Sequence, residues 1–172
     1  MTRLLIATTL ATLAIAGCAT SATGPRAAAS LGPTTGNAVA GSVTFAQAGG
    51  KVLVSGEVRG LRPNGEYGFH VHEKGDCSSG DGMSTGGHFN PGGSGHGQHG
   101  QGMHHAGDLP SLKSDGNGVA SFRFESTAIT VGGGATDVIG KGLIVHRDAD
   151  DYKTQPTGNA GPRLACAVIV KS

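Results

Sequence analysis

The sequence contains no tryptophan, and aromatic residues make up only 4% of its 172 positions. Any core must therefore be assembled mainly from Val, Ile, Leu and Ala. No run of one charge sign is present either. Thirteen basic residues stand against 12 acidic ones without a basic cluster, which argues against nucleic acid as a partner. No segment sustains a helical period, and there is no internal repeat. One clearly apolar stretch, Leu4 to Ala16, is too short to span a bilayer comfortably. Glycine, at 32 residues, is abundant. It follows no collagen-like period, so it predicts many turns and one long irregular loop.

The N-terminus has the form of a targeting segment. Arg3 supplies a positive start, the apolar stretch follows, and Ile15-Ala16-Gly17-Cys18 closes it with small residues before a cysteine. This resembles the bacterial lipobox, in which the cysteine is lipidated and becomes the first residue of the mature protein. Residues 1–17 are thus expected to be a lipoprotein signal peptide, with Cys18 the lipidation site. Arg3 is the only charge lost with them, so 12 basic residues (13 less Arg3) remain against 12 acidic ones. The expected location is the periplasmic side of a bacterial cell envelope, lipid-anchored. Ala19 and Thr20 after Cys18, with no Asp there, favour the outer membrane. Residues 18–37, rich in Ala, Ser, Thr, Gly and Pro, are expected to be a flexible tether, and residues 38–172 the folded domain. Two cysteines remain after Cys18, Cys77 and Cys166, and export to an oxidising compartment predicts that they pair.

From Val39 onward the pattern is one of short β-type runs: Val39–Phe45, Lys51–Arg59, Glu66–Glu73, Val119–Glu125, Leu143–His146 and Ala165–Val170. In Lys51–Arg59, the residues Val52, Val54, Gly56 and Val58 share one face. Ala120, Phe122 and Phe124 do the same in the run that follows Val119. Many short strands between Gly and Pro turns predict a β-sandwich or barrel. One stretch breaks this rhythm. Lys74 to Leu112 has little regular structure, and a loop of that length inside a compact domain is usually functional. It carries Cys77 and five of the eight histidines.

His70 and His72, two apart, face the same side if Gly68–Glu73 is a strand. That pair alone is a weak signal. The loop adds His88, His96, His105 and Asp108, and three imidazoles with one carboxylate can form a closed tetrahedral zinc site. A Gly/His-rich loop that touches metal only loosely has the same spacing. His146, at the end of an apolar run, would by itself more often be structural.

Taken together these stretches are far more specific. Gly68-Phe69-His70-Val71-His72-Glu73, Gly87-His88-Phe89-Asn90-Pro91, His105-Ala106-Gly107-Asp108, Gly142-Leu143-Ile144-Val145-His146 and Gly158-Asn159-Ala160-Gly161-Pro162-Arg163-Leu164-Ala165-Cys166 resemble, in order, the copper-zinc superoxide dismutase family, from about Val39 to the C-terminus. The resemblance is closest to the family's bacterial periplasmic and lipoprotein branch. It implies an all-β fold, an eight-stranded Greek-key β-barrel flattened into an immunoglobulin-like sandwich with a long metal-binding loop, an architecture of which this family is itself a standing example. It implies copper on His70, His72, His88 and His146, and zinc on His88, His96, His105 and Asp108, with His88 as the bridge. Asp150 would bond His70 and His96 from outside the metals. Cys77 and Cys166 would form the intrasubunit disulfide. His88 and Arg163 would be catalytic, the first handling a proton and the second guiding the anion. The implied reaction is dismutation of superoxide to dioxygen and hydrogen peroxide by copper redox cycling, protecting the cell envelope.

Departures qualify that expectation. Lys74 stands where the eukaryotic enzymes carry an apolar residue of their dimer contact, so a homodimer here is not expected to follow that type. Pro156 replaces their steering lysine; Lys153 is a nearby candidate for that role, and the sequence does not say which lysine, if any, takes it. His99 and His104 are left over as loop residues. The rival functions are a non-catalytic copper and zinc store on the same fold and a binding module with a degenerate site. Neither Arg163 nor any copper ligand is missing, which argues against both.

Overall fold

The computed structural model describes residues 24–172; the expected signal peptide, Cys18 and the first residues of the expected tether lie outside the described part. Ten strands and one short 3-10 turn follow in order: β1 (Arg26–Pro33), β2 (Ala40–Ala48), β3 (Lys51–Arg59), β4 (Glu66–Tyr67), β5 (Phe69–His72), the turn Met83–Thr85, β6 (Leu112–Lys113), β7 (Ala120–Ser126), β8 (Gly142–His146), β9 (Arg163–Val168) and β10 (Val170–Lys171). Eight strands make one curled antiparallel sheet in the order β5-β8-β9-β1-β2-β3-β7, with β10 beside β1, and β4 pairs with β6 separately. The neighbours β9-β1-β2-β3 show the Greek-key order, three hairpin-linked strands with a later strand returning beside the first.

The period-2 patterns fold as their residues dictate. Val52, Val54 and Val58 of β3 are fully buried, and the same face continues in Ala120 of β7, paired with Val58. Gly56 opposes Phe122. A side chain at Gly56 would strike the Ser42 carbonyl and the Phe122 ring. Its absence lets Phe122 lean onto Phe69 edge-to-face, with centroids 5.4 Å apart.

The first strand corrects the expected tether. Residues 18–37 were expected to be flexible, but Arg26–Pro33 pairs with β2, β9 and β10. Ala27, Ala29 and Leu31 point into the core at 1–3% exposure. Alanine is a poor local strand signal. Here it is selected by the narrow space between partners far away in sequence, so the fold begins well before residue 38.

The long irregular loop is present as expected. Between His72 and Leu112 the only regular element among the described residues is the turn Met83–Thr85. Cys77 and Cys166 form a disulfide that ties this loop to β9 across 89 residues of sequence. In metal-free protein, Cys166→Ser is expected to lower unfolding free energy by about 4–5 kcal/mol on the chain-entropy argument. Denaturant unfolding with and without reductant measures it, and equal midpoints for the oxidised and reduced forms would refute it.

Candidate metal centre

Three of the site residues stand on the sheet. The register β5–β8 places Phe69 opposite Val145 and Val71 opposite Leu143 on the core side. The alternate residues His70 and His72, and His146 beyond Val145, therefore face the other way. All three are buried, because the loop covers that face. Each ring is held from behind. His70 Nε2 donates to Asp150 Oδ2 at 2.7 Å. His72 Nδ1 donates to the Gly86 carbonyl at 2.9 Å, and His146 Nδ1 to the Gly161 carbonyl at 3.1 Å. What remains facing inward is His70 Nδ1 and the two Nε2 atoms of His72 and His146, 3.3 Å apart.

The other residues come from the loop, and alternation again places them. Phe89 N–H donates to Val71 O, Val71 N–H to Gly107 O, and Leu109 N–H to Phe69 O. The segments around 88 and 108 thereby run as short bridges along β5. Phe89 and Leu109 are buried in the core, so their neighbours His88 and Asp108 project to the opposite side. Burying each anchor stabilises by roughly 1.5–3 kcal/mol. Asp108 Oδ1 lies 2.8 Å from His88 Nδ1, 3.0 Å from His96 Nδ1 and 3.3 Å from His105 Nδ1. Its Oδ2 accepts the backbone N–H groups of His105 and Gly97, which close the loop around the carboxylate.

Asp150 joins the two halves. Its Oδ1 accepts from His96 Nε2 at 2.9 Å while Oδ2 accepts from His70. Its neighbours Asp148 and Asp151 instead turn to Arg147 and to Lys153 and Thr154. Close approach requires Gly158, at φ +64°, where any side chain would collide with Asp150 and His96. Two contributors escaped the sequence reading: Gly158 itself, and Gln155, whose amide bonds the backbone of His96. Gly158 stands within a quoted motif, but no local signal marks Gln155. His99 and His104 belong to neither donor group. His99 Nδ1 donates to the Asp108 carbonyl and His104 Nδ1 to that of His105.

Electrostatics divide the site. Burial, reinforced by neighbouring histidines, holds His72 and His146 well below the ordinary imidazole range. Burial also lowers His70 despite Asp150, and brings His88 down to about 4. These rings are neutral lone-pair donors. His96 behaves oppositely. Burial pushes it down, but its bonds to Asp108 and Asp150 outweigh that and raise it to about 9. Asp108 and Asp150 are pushed up by burial, yet their histidine partners hold both well below the usual carboxylate range.

Two donor sets emerge, His70, His72, His88 and His146, and His88, His96, His105 and Asp108, each with its ligand atoms within 4.8 Å of one another. Among the described residues, the buried side-chain nitrogens lacking any partner are His70 Nδ1 and His88 Nε2. Buried polar atoms are costly to leave unpaired. Both belong to the all-histidine set, so a cation there would satisfy them. Imidazole donors suit copper, and three imidazoles with a carboxylate suit zinc. The fold and site thus define a β-sheet metalloprotein with two metal cradles joined through one histidine.

The comparisons agree. The profile described as copper/zinc superoxide dismutase matches residues 39–169. A copper-zinc superoxide dismutase of Paramecium bursaria Chlorella virus 1 is 41% identical over 137 residues, 76% of this chain and 72% of its own length. A second protein of that name from Aquifex aeolicus is 37% identical over 135 residues, covering 76% and 79%. The crystal structure described as that of the clock protein EA4 superposes with a TM-score of 0.78 at 44% identity, over 86% of this chain and 96% of that one. The chain belongs to the copper/zinc superoxide dismutase family.

The raised His96 yields a pH prediction. Its folded value, about 9, lies above its ordinary 6.5. Its contribution to the metal-free fold is complete below about 6.5 and fades as pH rises through about 9. A metal held by His96 Nδ1 would displace the proton directed at Asp108, while Nε2–H would stay on Asp150. Calorimetric zinc titration of metal-free protein at pH about 8, in buffers of differing ionisation enthalpy, is expected to show about one proton released per zinc. Zinc uptake without proton release would contradict this reading of His96.

Proposed function

We propose that the protein converts two superoxide anions and two protons into dioxygen and hydrogen peroxide, on the periplasmic side of a bacterial envelope where lipid on Cys18 holds it. The observation that carries the activity is the pair of buried, partnerless nitrogens His70 Nδ1 and His88 Nε2 within an all-imidazole set. That set, completed by His72 Nε2 and His146 Nε2, would hold copper. His88 Nδ1, His96, His105 and Asp108 would hold zinc. Bound copper supplies the one-electron exchange with superoxide, while bound zinc keeps a single oxidation state. The names of the relatives support the same reaction.

The chain's own residues handle protons and the anion. With His88 Nδ1 turned to Asp108, Nε2 is the nitrogen that faces the copper set, and it would hold a proton beside the substrate whenever it is not engaged by the metal. Arg163 contributes positive field, opposing protonation of His72 and His146. The same field attracts an anion, an effect for which this enzyme family is a standard example. Three of the five N–H groups of a guanidinium are spent here on Gly82 O, Thr85 Oγ1 and Gly86 O. Arg163 therefore braces the loop, and the two N–H groups that remain can dock the substrate.

The test is metal content followed by superoxide consumption. Wild-type protein is expected to hold copper and zinc in equal amounts and to consume superoxide. Asp108→Ala should lose zinc before copper, and His146→Ala copper before zinc. A folded, fully loaded wild type without activity would sink the reaction, and equal loss of both metals in both variants would sink the division of ligands.

Export and anchoring rest on Arg3, the apolar stretch and Ile15-Ala16-Gly17-Cys18. On membrane fractionation the wild type should sediment with membranes and Cys18→Ser should be released. A Cys18→Ser protein that stays membrane-bound would count against lipidation.

A further inference from the structure

His96 sits in irregular backbone, yet it is held at four points. Two are ring contacts, Nδ1 to Asp108 and Nε2 to Asp150. The other two belong to its backbone, and both end on one side chain. Gln155 Oε1 accepts the His96 N–H at 2.8 Å, and Gln155 Nε2 donates to the His96 carbonyl at 2.9 Å. A primary amide carries an acceptor and a donor side by side and so matches the N–H and C=O of one residue. No acid, lysine or apolar side chain offers that pair.

Gln155 is itself fixed. Its Nε2 also reaches the Lys153 carbonyl at 3.3 Å. The turn beneath it is closed by Gly158 N–H on Thr154 O, Asp151 N–H on Gly158 O and the Asp151 carboxylate on Thr154. That turn begins at Asp150, the carboxylate that bonds the His96 ring. One short segment therefore sets both the ring of His96, through Asp150, and its backbone, through Gln155.

We infer that Gln155 is a positioning residue for His96, clasping its backbone so that Nδ1 is presented beside Asp108, His88 and His105. The inference rests on the proposal that this group holds zinc. It goes beyond it by assigning part of the affinity to a residue that touches no donor atom. Without the clasp, the His96 backbone must find water. The loop gains freedom that metal binding then has to remove. The strand-borne His70, His72 and His146 do not depend on Gln155, so the effect should be confined to the zinc side.

The experiment compares wild type with Gln155→Ala and Gln155→Met, the second keeping length without hydrogen bonds, and with His105→Ala as a control. Zinc affinity of the metal-free proteins is measured by competition with a chromophoric chelator. The visible spectrum of cobalt(II) in the same group reports coordination. Both Gln155 variants are expected to lose about tenfold to a hundredfold in zinc affinity and to show an altered cobalt spectrum. Their metal-free Tm should move by no more than about 2–4 °C. Unchanged zinc affinity in both variants overturns the inference. So does a loss accompanied by unfolding of both metal-free variants, since Gln155 would then be a general support. If His105→Ala binds zinc as wild type does, the ligand group itself is wrong and the inference falls with it. Sensitivity to His105→Ala with indifference to both Gln155 changes defeats only the positioning role.

Discussion

His88 turns one ring nitrogen to each of two donor groups, and most of the surrounding structure serves to keep that ring in place. A shared ring tolerates little error, because a shift that improves one group damages the other. The fold meets this by building the two sides differently. His70, His72 and His146 stand on β5 and β8, where the register of two paired strands fixes their direction. His88, His96, His105 and Asp108 come from a loop with almost no regular structure, so their positions must be imposed one at a time.

The loop is imposed on the sheet by several kinds of contact. Phe89 and Leu109 are apolar anchors, and period-2 alternation turns each adjacent ligand outward. The disulfide closes the loop's start onto β9. Three residues earlier on that strand, Arg163 bonds the backbone around the turn Met83–Thr85. Its acceptor Gly86 O is also the acceptor for His72. The arginine and the His72 ring thus meet on one carbonyl, in the loop whose start the disulfide ties to the same strand. This explains how Arg163 can brace the loop and still project charge at the histidines: the bracing contacts are what bring its charge there.

What could be read from the sequence follows the range of each interaction. The strands with Val, Ile and Phe alternation were legible because the signal lies within each strand. The metal-site residues were legible only as an ordered set, since H-x-H or a lone His146 carries little information. β1 was not legible. Its alanines are buried by β2, β9 and β10, and nothing within Arg26–Pro33 announces those partners. Gln155 was hidden for the same reason, because an amide that clasps a residue 59 positions away looks locally like any exposed glutamine. Arg163 stands in a motif that the sequence displays, but its bracing contacts depend on where the turn Met83–Thr85 lies in space.

The two carboxylates of the site are not interchangeable, and their placement accounts for the electrostatic split. Asp108 has three imidazole nitrogens within about 3.3 Å, and Asp150 accepts from one ring on each side. Both bonds to His96 end on carboxylates, so that ring keeps a second proton in the metal-free protein. His88 has a single carboxylate contact and a fully buried Nε2, so it does not. The metal-free site therefore stores one cation, on the loop side, where two buried anions need it. A divalent ion held by that group would replace the proton and keep those anions compensated. The all-imidazole group has no proton to give up, and its lone pairs are ready. Asp150 transmits the position of one group to the other through two hydrogen bonds, and it can do so only because Gly158 leaves room for it against His96.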